Sequence, residues 1–384
     1  MVSRKNRRAG GSGGNGQLLV VSANSSWNLL NFCKNLISGL QAAGYSVAAI
    51  VPGDEGCERL RSIGVDVHTV PLEKHGLSPF SDLRLLVRYL KLLRTIRPDA
   101  YLGITAKPNI YGGMAAQLCG IPVINSVTGL GTAFLGSKPL EMLVSTMYRA
   151  AFLRARKVFF LNRDDYDLFT NRHLVRREIA EIIPGSGIDL DWFEVAPPTA
   201  NQAPLFLFIG RLLTDKGVVE YVQAARAVKA KSPAARFQIL GPTDPHPKAV
   251  PDELLKSYIE DGTVELLGST DDVRPYIKAA DCVVLPSYRE GLPRVLVEAS
   301  AMGRPIIASD VPGCRDVVED GTTGYLCEVR SARSLEAALI RFLQLSPGER
   351  KRMGAAGRRK AELEFGDEHV IRAYLSALEG IETA

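Results

Sequence analysis

The chain has 384 residues, enough for two or three domains at roughly 150 residues each and for sizeable buried cores. Hydrophobic residues make up 46% and charged ones 23%, which excludes a wholly disordered chain or a coiled-coil rod, and no apolar run approaches the roughly 18 residues of a spanning helix. The net charge of +5 is unevenly spread, +7 over residues 1–195 and −2 beyond, so an anionic partner would be met by the front half unless that surface is merely solvated.

The first sixteen residues, MVSRKNRRAGGSGGNG, are basic and glycine-serine rich and are expected to be disordered. No apolar stretch of secretory length follows them. Gly11, Gly13 and Gly16 match GxGxxG by the letter, but they precede the first strand instead of following it, so they carry no dinucleotide site. Six scattered cysteines without CxxC or Cys/His ligand spacing read as reduced core residues of a cytoplasmic protein.

From Gln17 short apolar runs alternate with longer helical stretches. Strands are expected at 18–22, 47–51, 65–70, 100–104, 123–126, 158–162 and 179–183, with helices near 27–43, 55–63, 80–96, 109–119, 139–156 and 164–172. Continuous apolar strands separated by helices imply a parallel sheet buried on both faces. The proline-rich, uncharged stretch around 196–204 reads as a linker. The rhythm then restarts, with strands at 205–209, 236–240, 264–267, 282–285, 305–308 and 324–327 and helices near 215–231, 271–280, 293–302, 331–345 and 347–364. The expected organisation is a tail over 1–16, one α/β domain over 17–195, a linker over 196–204, a second over 205–365, and a C-terminal helix within 366–384 packing back on the first domain. Two doubly wound, Rossmann-like parallel-sheet domains facing a cleft would place ligands at the carboxyl ends of the strands.

The richest segment runs from Pro286 to Ala299. It leaves a buried strand and enters a helix with Pro293 near its first turn, where a missing N–H is harmless. Gly291 permits close backbone approach, and the helix start is suited to a diphosphate. Glu290 and Glu298 flank that point and could grip hydroxyls on the two sugars of a nucleotide sugar; the plain alternative is one capping glutamate and one solvated glutamate. A second element, Phe206 to Gly217, ends a strand in Gly210 and Arg211 and follows with Lys216, a forked donor and a point charge suited to phosphate oxygens. A surface salt bridge is the alternative for that pair.

With Gly210–Gly217, Glu290 and Glu298 in an E-x7-E arrangement, Gly303–Ala308, Val311–Gly313 and Asp320–Gly324 all in order, the sequence resembles the family 4 retaining glycosyltransferases of GT-B architecture. The resemblance implies that Arg211 and Lys216 bind the donor diphosphate, that Glu290 holds donor-sugar hydroxyls and Glu298 the ribose. It also implies that Gly268, Ser269 and Thr270 form the base-binding turn, with Gly210, Gly291, Leu292 and Pro293 against the donor. Displacement at the anomeric carbon with retention is implied, the departing nucleoside diphosphate helping to take the acceptor proton, with neither metal nor cofactor. Asp189-Leu190-Asp191 spells a DxD, but Gly187, Ile188, Asp189 and Phe193 resemble the family's interdomain segment instead.

On the acceptor side, Trp27 and Asn28, Lys107 and Asn109, and Gly129, Gly131 and Thr132 sit in turns after strands one, four and five. These turns resemble the subgroup adding N-acetylhexosamine or related sugars to lipid-diphosphate-linked acceptors in bacterial glycan assembly. Many members carry a histidine near the place of Lys107; here that lysine would meet an acceptor phosphate, or stand solvated. Residues 82–97 set five basic side chains against an apolar row, Leu83, Leu86, Val87, Leu90 and Leu93, read as core-packing, with docking to an anionic membrane surface as the functional alternative and a peripheral place on its cytoplasmic face as the consequence. The leading reading is a hexosyltransferase using a UDP-sugar and a glycan or lipid-linked glycan acceptor. A nucleotide-sugar epimerase of the same architecture is the alternative, and a non-catalytic nucleotide-sugar sensor is disfavoured by the donor motifs. No nucleic-acid partner is expected, since basic patches are not interleaved with aromatics.

Overall fold

Seven short apolar segments pair side by side into one parallel sheet: β1 (Leu18–Ser22), β2 (Ser46–Val51), β3 (Asp66–Thr69), β4 (Ala100–Gly103), β5 (Val123–Val127), β6 (Lys157–Phe160) and β7 (Ala180–Ile182), in the order β3-β2-β1-β4-β5-β6-β7. Six more form a second parallel sheet: β8 (Leu205–Ile209), β9 (Arg236–Leu240), β10 (Glu265–Leu266), β11 (Cys282–Leu285), β12 (Ile306–Ser309) and β13 (Gly324–Cys327), ordered β10-β9-β8-β11-β12-β13. The computed structural model describes residues 16–72, 79–130, 138–199, 203–243 and 248–381. The expected tail falls almost wholly outside the described residues, as do residues 200–202 of the expected linker.

Central strands such as β8 (LFLFI) and β4 (AYLG) are buried along their whole length, as a sheet covered by helices on both faces demands. In the second unit Phe206 stacks on Phe237 at 5.0 Å and meets Phe342 edge-on at 5.6 Å, so strand and helix layers interlock through aromatic rings. In the first, Tyr148, Phe152 and Phe169 form a similar aromatic cluster.

The chain divides into a unit of Met1–Gly187 with Asp367–Ala384 and a unit of Ile188–Gly366. This differs from a break at 195. Ile188, Phe193 and Ala196 are buried in the second core, the Ala196 N–H donates to the Met302 carbonyl at 3.0 Å, and Arg304 Nη2 donates to the Pro197 carbonyl at 2.7 Å. The proline-rich stretch is strapped down, because the buried Arg304 guanidinium needs carbonyl acceptors and Pro197 supplies one. The last helix, Asp367–Leu378, belongs to the first unit: Asn35 Nδ2 donates to Asp367 Oδ2 at 2.7 Å, and Tyr374 lies 4.8 Å from Phe159.

Other departures are local. The helix expected over 27–43 is two, Ser26–Phe32 and Lys34–Ala42, each with its own buried face. A helix at Asp252–Glu260, which the sequence reading did not mark, follows the second strand of the second unit. In the helix Pro79–Ile96 the core face is Leu85, Tyr89, Leu93 and Ile96. Leu83 and Val87, expected to pack inward, are 59% and 40% exposed, because the face one residue further round reaches Tyr101.

Candidate functional site

In the second unit the strand order reverses between β8 and β11, and the crevice beyond their carboxyl ends is where such folds take ligands. Two loops meet there. The Tyr288 N–H at the end of β11 donates to the Asp215 carbonyl after β8 at 2.8 Å, and Lys216 Nζ lies 2.5 Å from Glu290 Oε1. Gly217 has φ +74°, and a Cβ on it would run into the Pro286 carbonyl oxygen. Gly313, at φ +80°, brings the turn after β12 so close that a Cβ would lie 2.5 Å from the Gly291 carbonyl oxygen. Both approaches require glycine.

Lys216 and Glu290 are largely buried, 25% and 12% exposed, so this is no ordinary surface pair. Arg211 stands exposed at the end of β8, in a tight turn closed by the Leu213 N–H on its carbonyl at 2.8 Å, and Lys248 Nζ meets Asp215 Oδ2 at 2.5 Å alongside. The helix Arg294–Ala301 begins just after Pro293, which caps it in an extended conformation, so its start follows directly on the Glu290–Leu292 segment. Glu298 is buried at 8% exposure with Oε1 2.9 Å from Arg294 Nε. Neither acid is a cap, and Glu298 is not solvated, which corrects the bland alternative for this pair.

Burial pushes the Glu298 carboxyl above its ordinary value, with Arg294 pulling it back. A carboxyl raised in the folded state holds more protons there than in the unfolded chain, so its contribution to stability is full below the ordinary carboxylate range and is lost as pH rises through the folded value. Glu298→Gln is therefore expected to flatten the decline of the melting temperature as pH rises above the ordinary carboxylate range, about pH 4. An identical slope in the variant would contradict the assignment.

Glycines line the carboxyl ends of three neighbouring strands. A Cβ on Gly241, after β9, would strike the Gly210 carbonyl oxygen, and the Gly241 N–H donates to the Gly268 carbonyl after β10 at 2.7 Å. Gly268, Ser269 and Thr270 are exposed there, and Thr270 Oγ1 accepts the Asp272 N–H at 3.1 Å. Gly210, Arg211, Lys216, Gly268–Thr270 and Glu290–Pro293 thus lie along the carboxyl ends of β8, β10 and β11, with Glu298 inside the helix that follows. Gly241 and Tyr288 were not given a role from sequence, and Gly313 entered only as part of the Val311–Gly313 motif. Gly241 was legible, since it follows its strand as Gly210 follows β8. Tyr288 donates to Glu220 Oε1 at 2.6 Å under the Arg330 guanidinium, 4.6 Å from its ring, and burial together with Glu220 drives its hydroxyl well above the ordinary tyrosine value.

In the first unit the order reverses between β1 and β4, and the loops after them are joined by the Asn24 N–H donating to Thr105 Oγ1 at 2.9 Å. Lys107 is neither solvated nor unpaired: its Nζ lies 2.9 Å from Asp82 Oδ1, at 14% and 7% exposure. Asn109 is fully buried and donates to the Ser126 carbonyl at 2.8 Å, so its side chain ties the turn to β5 and does not line a binding surface; this corrects its place among acceptor-side residues. Trp27 is exposed against the edge of Phe32, Asn28 donates to Asn24, and Gly129 has φ +135°. Gly131 and Thr132 lie outside the described residues. Lys107→Met, which strands Asp82, is expected to cost about 3 to 5 kcal/mol of stability, largely restored by adding Asp82→Asn, as measured by urea unfolding.

Among the described residues no group of three or more His, Cys, Asp or Glu side chains could hold a metal ion. Asp189 Oδ1 instead accepts the backbone N–H groups of Asp191 and Trp192, at 3.1 and 2.8 Å. None of the six cysteines is in a disulfide, and burial pushes the Cys327 thiol up to about 11.

A pair of doubly wound units, one with cationic and acidic groups gathered at its switch point, is the frame of a nucleotide-sugar transferase. Residues 18–162 match the family described as glycosyl transferase 4-like, and residues 193–360 the family of glycosyl transferases group 1. The chain belongs to these GT-B glycosyltransferases. It is similar to the N,N'-diacetylbacillosaminyl-diphospho-undecaprenol alpha-1,3-N-acetylgalactosaminyltransferase of Campylobacter jejuni, 28% identical over 361 residues covering 90% of this chain and 93% of that one. It is also similar to the UDP-Gal:alpha-D-GlcNAc-diphosphoundecaprenol alpha-1,3-galactosyltransferase of Escherichia coli, 26% identical over 71% of this chain and 73% of that one. The solved structure of Anabaena Alr3699/HepE in complex with UDP-glucose shares the fold, with a TM-score of 0.76 at 18% identity over 94% of this chain and 100% of that one. The protein is a glycosyltransferase, and the epimerase alternative finds no support.

Proposed function

We propose that the protein is a retaining, metal-independent hexosyltransferase that moves a hexose or N-acetylhexosamine from a UDP-sugar to a lipid-diphosphate-linked glycan in cell-surface polysaccharide assembly. The observation that carries the reading is the Lys216–Glu290 bridge between the loops after β8 and β11, beside Arg211 and a helix start. There Arg211, Lys216 and the first turn of Arg294–Ala301 hold the two phosphates and stabilise the charge that grows on the leaving diphosphate. Glu290 takes hydroxyls of the transferred sugar, and Glu298, deeper in the helix, those of the ribose. Gly268–Thr270 take the base, with Gly210, Gly291, Leu292 and Pro293 giving backbone surface to the donor. Support for the UDP donor comes from the name of the Escherichia coli relative, and support for the undecaprenyl-linked acceptor from the names of both relatives.

The turns bearing Trp27, Asn28, Lys107 and Gly129, with Gly131 and Thr132, receive the acceptor, and no helix among the described residues is long and apolar enough to cross a membrane, which suits a peripheral place on the cytoplasmic leaflet. Hydrolysis and transfer from a panel of nucleotide sugars, with and without bacterial lipid extract, tests the proposal. UDP-sugar turnover stimulated by the extract is expected; no uptake of any activated sugar by calorimetry would end it.

A further inference from the structure

Right-handed crossovers from β3 to β4, β4 to β5 and β5 to β6 all step the same way along the first sheet, so the helices Pro79–Ile96, Gly113–Leu118 and Lys138–Phe152 share one face. Gln117 fastens the second helix to the third, donating to the Ala151 carbonyl and accepting the Arg154 N–H at 3.1 Å. Of the fifteen large apolar side chains exposed among the described residues, seven lie on these three helices or directly after the last. Phe80, Leu83 and Val87 form a row at i, i+3 and i+7, and Phe80 is 82% exposed. Leu118 ends the middle helix, Met142 and Leu143 lie on the third, and Leu153 directly follows it. A soluble surface rarely gathers so much apolar area unless something covers it.

The charge beside the patch has one sign. Arg84, Arg88 and Lys91 run along the row next to Phe80, Leu83 and Val87, all exposed, and Lys138, Arg149 and Arg154 flank the third helix. The two acids on these helices are both engaged, Asp82 with Lys107 and Glu141 with Arg172. Beyond Arg149 the border runs into a hollow of about 640 Å³ whose lining includes Leu153, His173, Arg176 and Arg177, with Glu178 as its one acid. Protruding apolar side chains in a cationic frame complement an anionic lipid leaflet, where rings and aliphatic chains enter the acyl boundary and the guanidinium groups meet phosphates.

We propose that this three-helix face of the first unit docks on an anionic bilayer surface. The proposal rests on the lipid-linked reading of the acceptor and adds where the protein meets the leaflet. Asp82, in the first turn of the leading helix, is the partner of Lys107 in the turn after β4, so the docked face is continuous with the loops assigned to the acceptor.

The test is flotation of the full chain with vesicles of phosphatidylcholine alone and with roughly one third phosphatidylglycerol, at low salt and at about 0.5 M salt. Binding only to the anionic vesicles, weakened by salt, is expected. The pair Arg84→Glu with Arg88→Glu, and separately Leu83→Asp, should each weaken it at least about tenfold. Circular dichroism checks the fold, and Arg84→Ala with Arg88→Ala and Lys91→Ala serves if charge reversal prevents folding. Wild-type protein that ignores anionic vesicles at low salt, variants that bind like wild type, or a dimer in sedimentation that Leu83→Asp dissolves would each overturn the proposal. UDP-sugar hydrolysis by the same variants, and transfer to a short-chain acceptor, separate its failure from failure of the catalytic reading, since neither requires the vesicle.

Discussion

Arg211→Ala is expected to lower turnover by about 10² to 10³, equivalent to roughly 2.7 to 4 kcal/mol of transition-state stabilisation, while leaving the melting temperature nearly unchanged. The side chain is exposed at the end of β8, so its removal opens no cavity, and losing an exposed polar contact costs no more than about 1 kcal/mol. On the proposed reading of the donor site, what it removes is the forked cation that meets the leaving diphosphate. Lys216→Ala should give a similar loss of turnover but also lower stability, because it leaves the Glu290 carboxylate largely buried beside no ammonium. The contrast between the two variants is the useful measurement. Full turnover in a folded Arg211→Ala protein would count decisively against the donor-site assignment.

The second large effect is expected at Gly217. Its left-handed backbone costs an alanine about 1 to 3 kcal/mol before any collision. The added methyl also meets the Pro286 carbonyl, part of the rigid chain leaving β11, so one loop must move away from the other. That displacement would part Lys216 from Glu290. Gly217→Ala should therefore lower the melting temperature by several degrees, at roughly 2 to 4 °C per kcal/mol for a unit of this size, and lower turnover together with it. A variant that kept both would show that the spacing between the two loops is unimportant to the chemistry.

The strands were largely legible because the central ones are apolar runs bounded by turn residues, and β1, β8, β9, β11 and β13 begin and end at the expected residues. The donor motifs were legible for a related reason, since glycine, charge and helix start follow one another directly in the chain. Other features depend on contacts far away in sequence. Nothing near Lys107 announces Asp82, and nothing near Asn109 shows that its amide is needed by the Ser126 carbonyl. The helix Pro79–Ile96 is apolar on two adjoining rows, so periodicity could not say which one faces Tyr101. The strapped segment at Ala196 and Pro197 was read as a linker because its binding partner, Arg304, lies a hundred residues on.

The glycines at the carboxyl ends of β8, β9 and β10 also bear on how substrate preference can drift over evolutionary time. A methyl at Gly241 has nowhere to go, and one at Gly268 finds open space but an unfavourable backbone at φ +77°. Ser269 and Thr270 are under neither restriction: they are solvent-facing, and their backbone carries no positive φ. If this turn holds the base as proposed, variants that accept a different nucleobase should arise by exchange of those two side chains, while the glycines beneath them stay fixed.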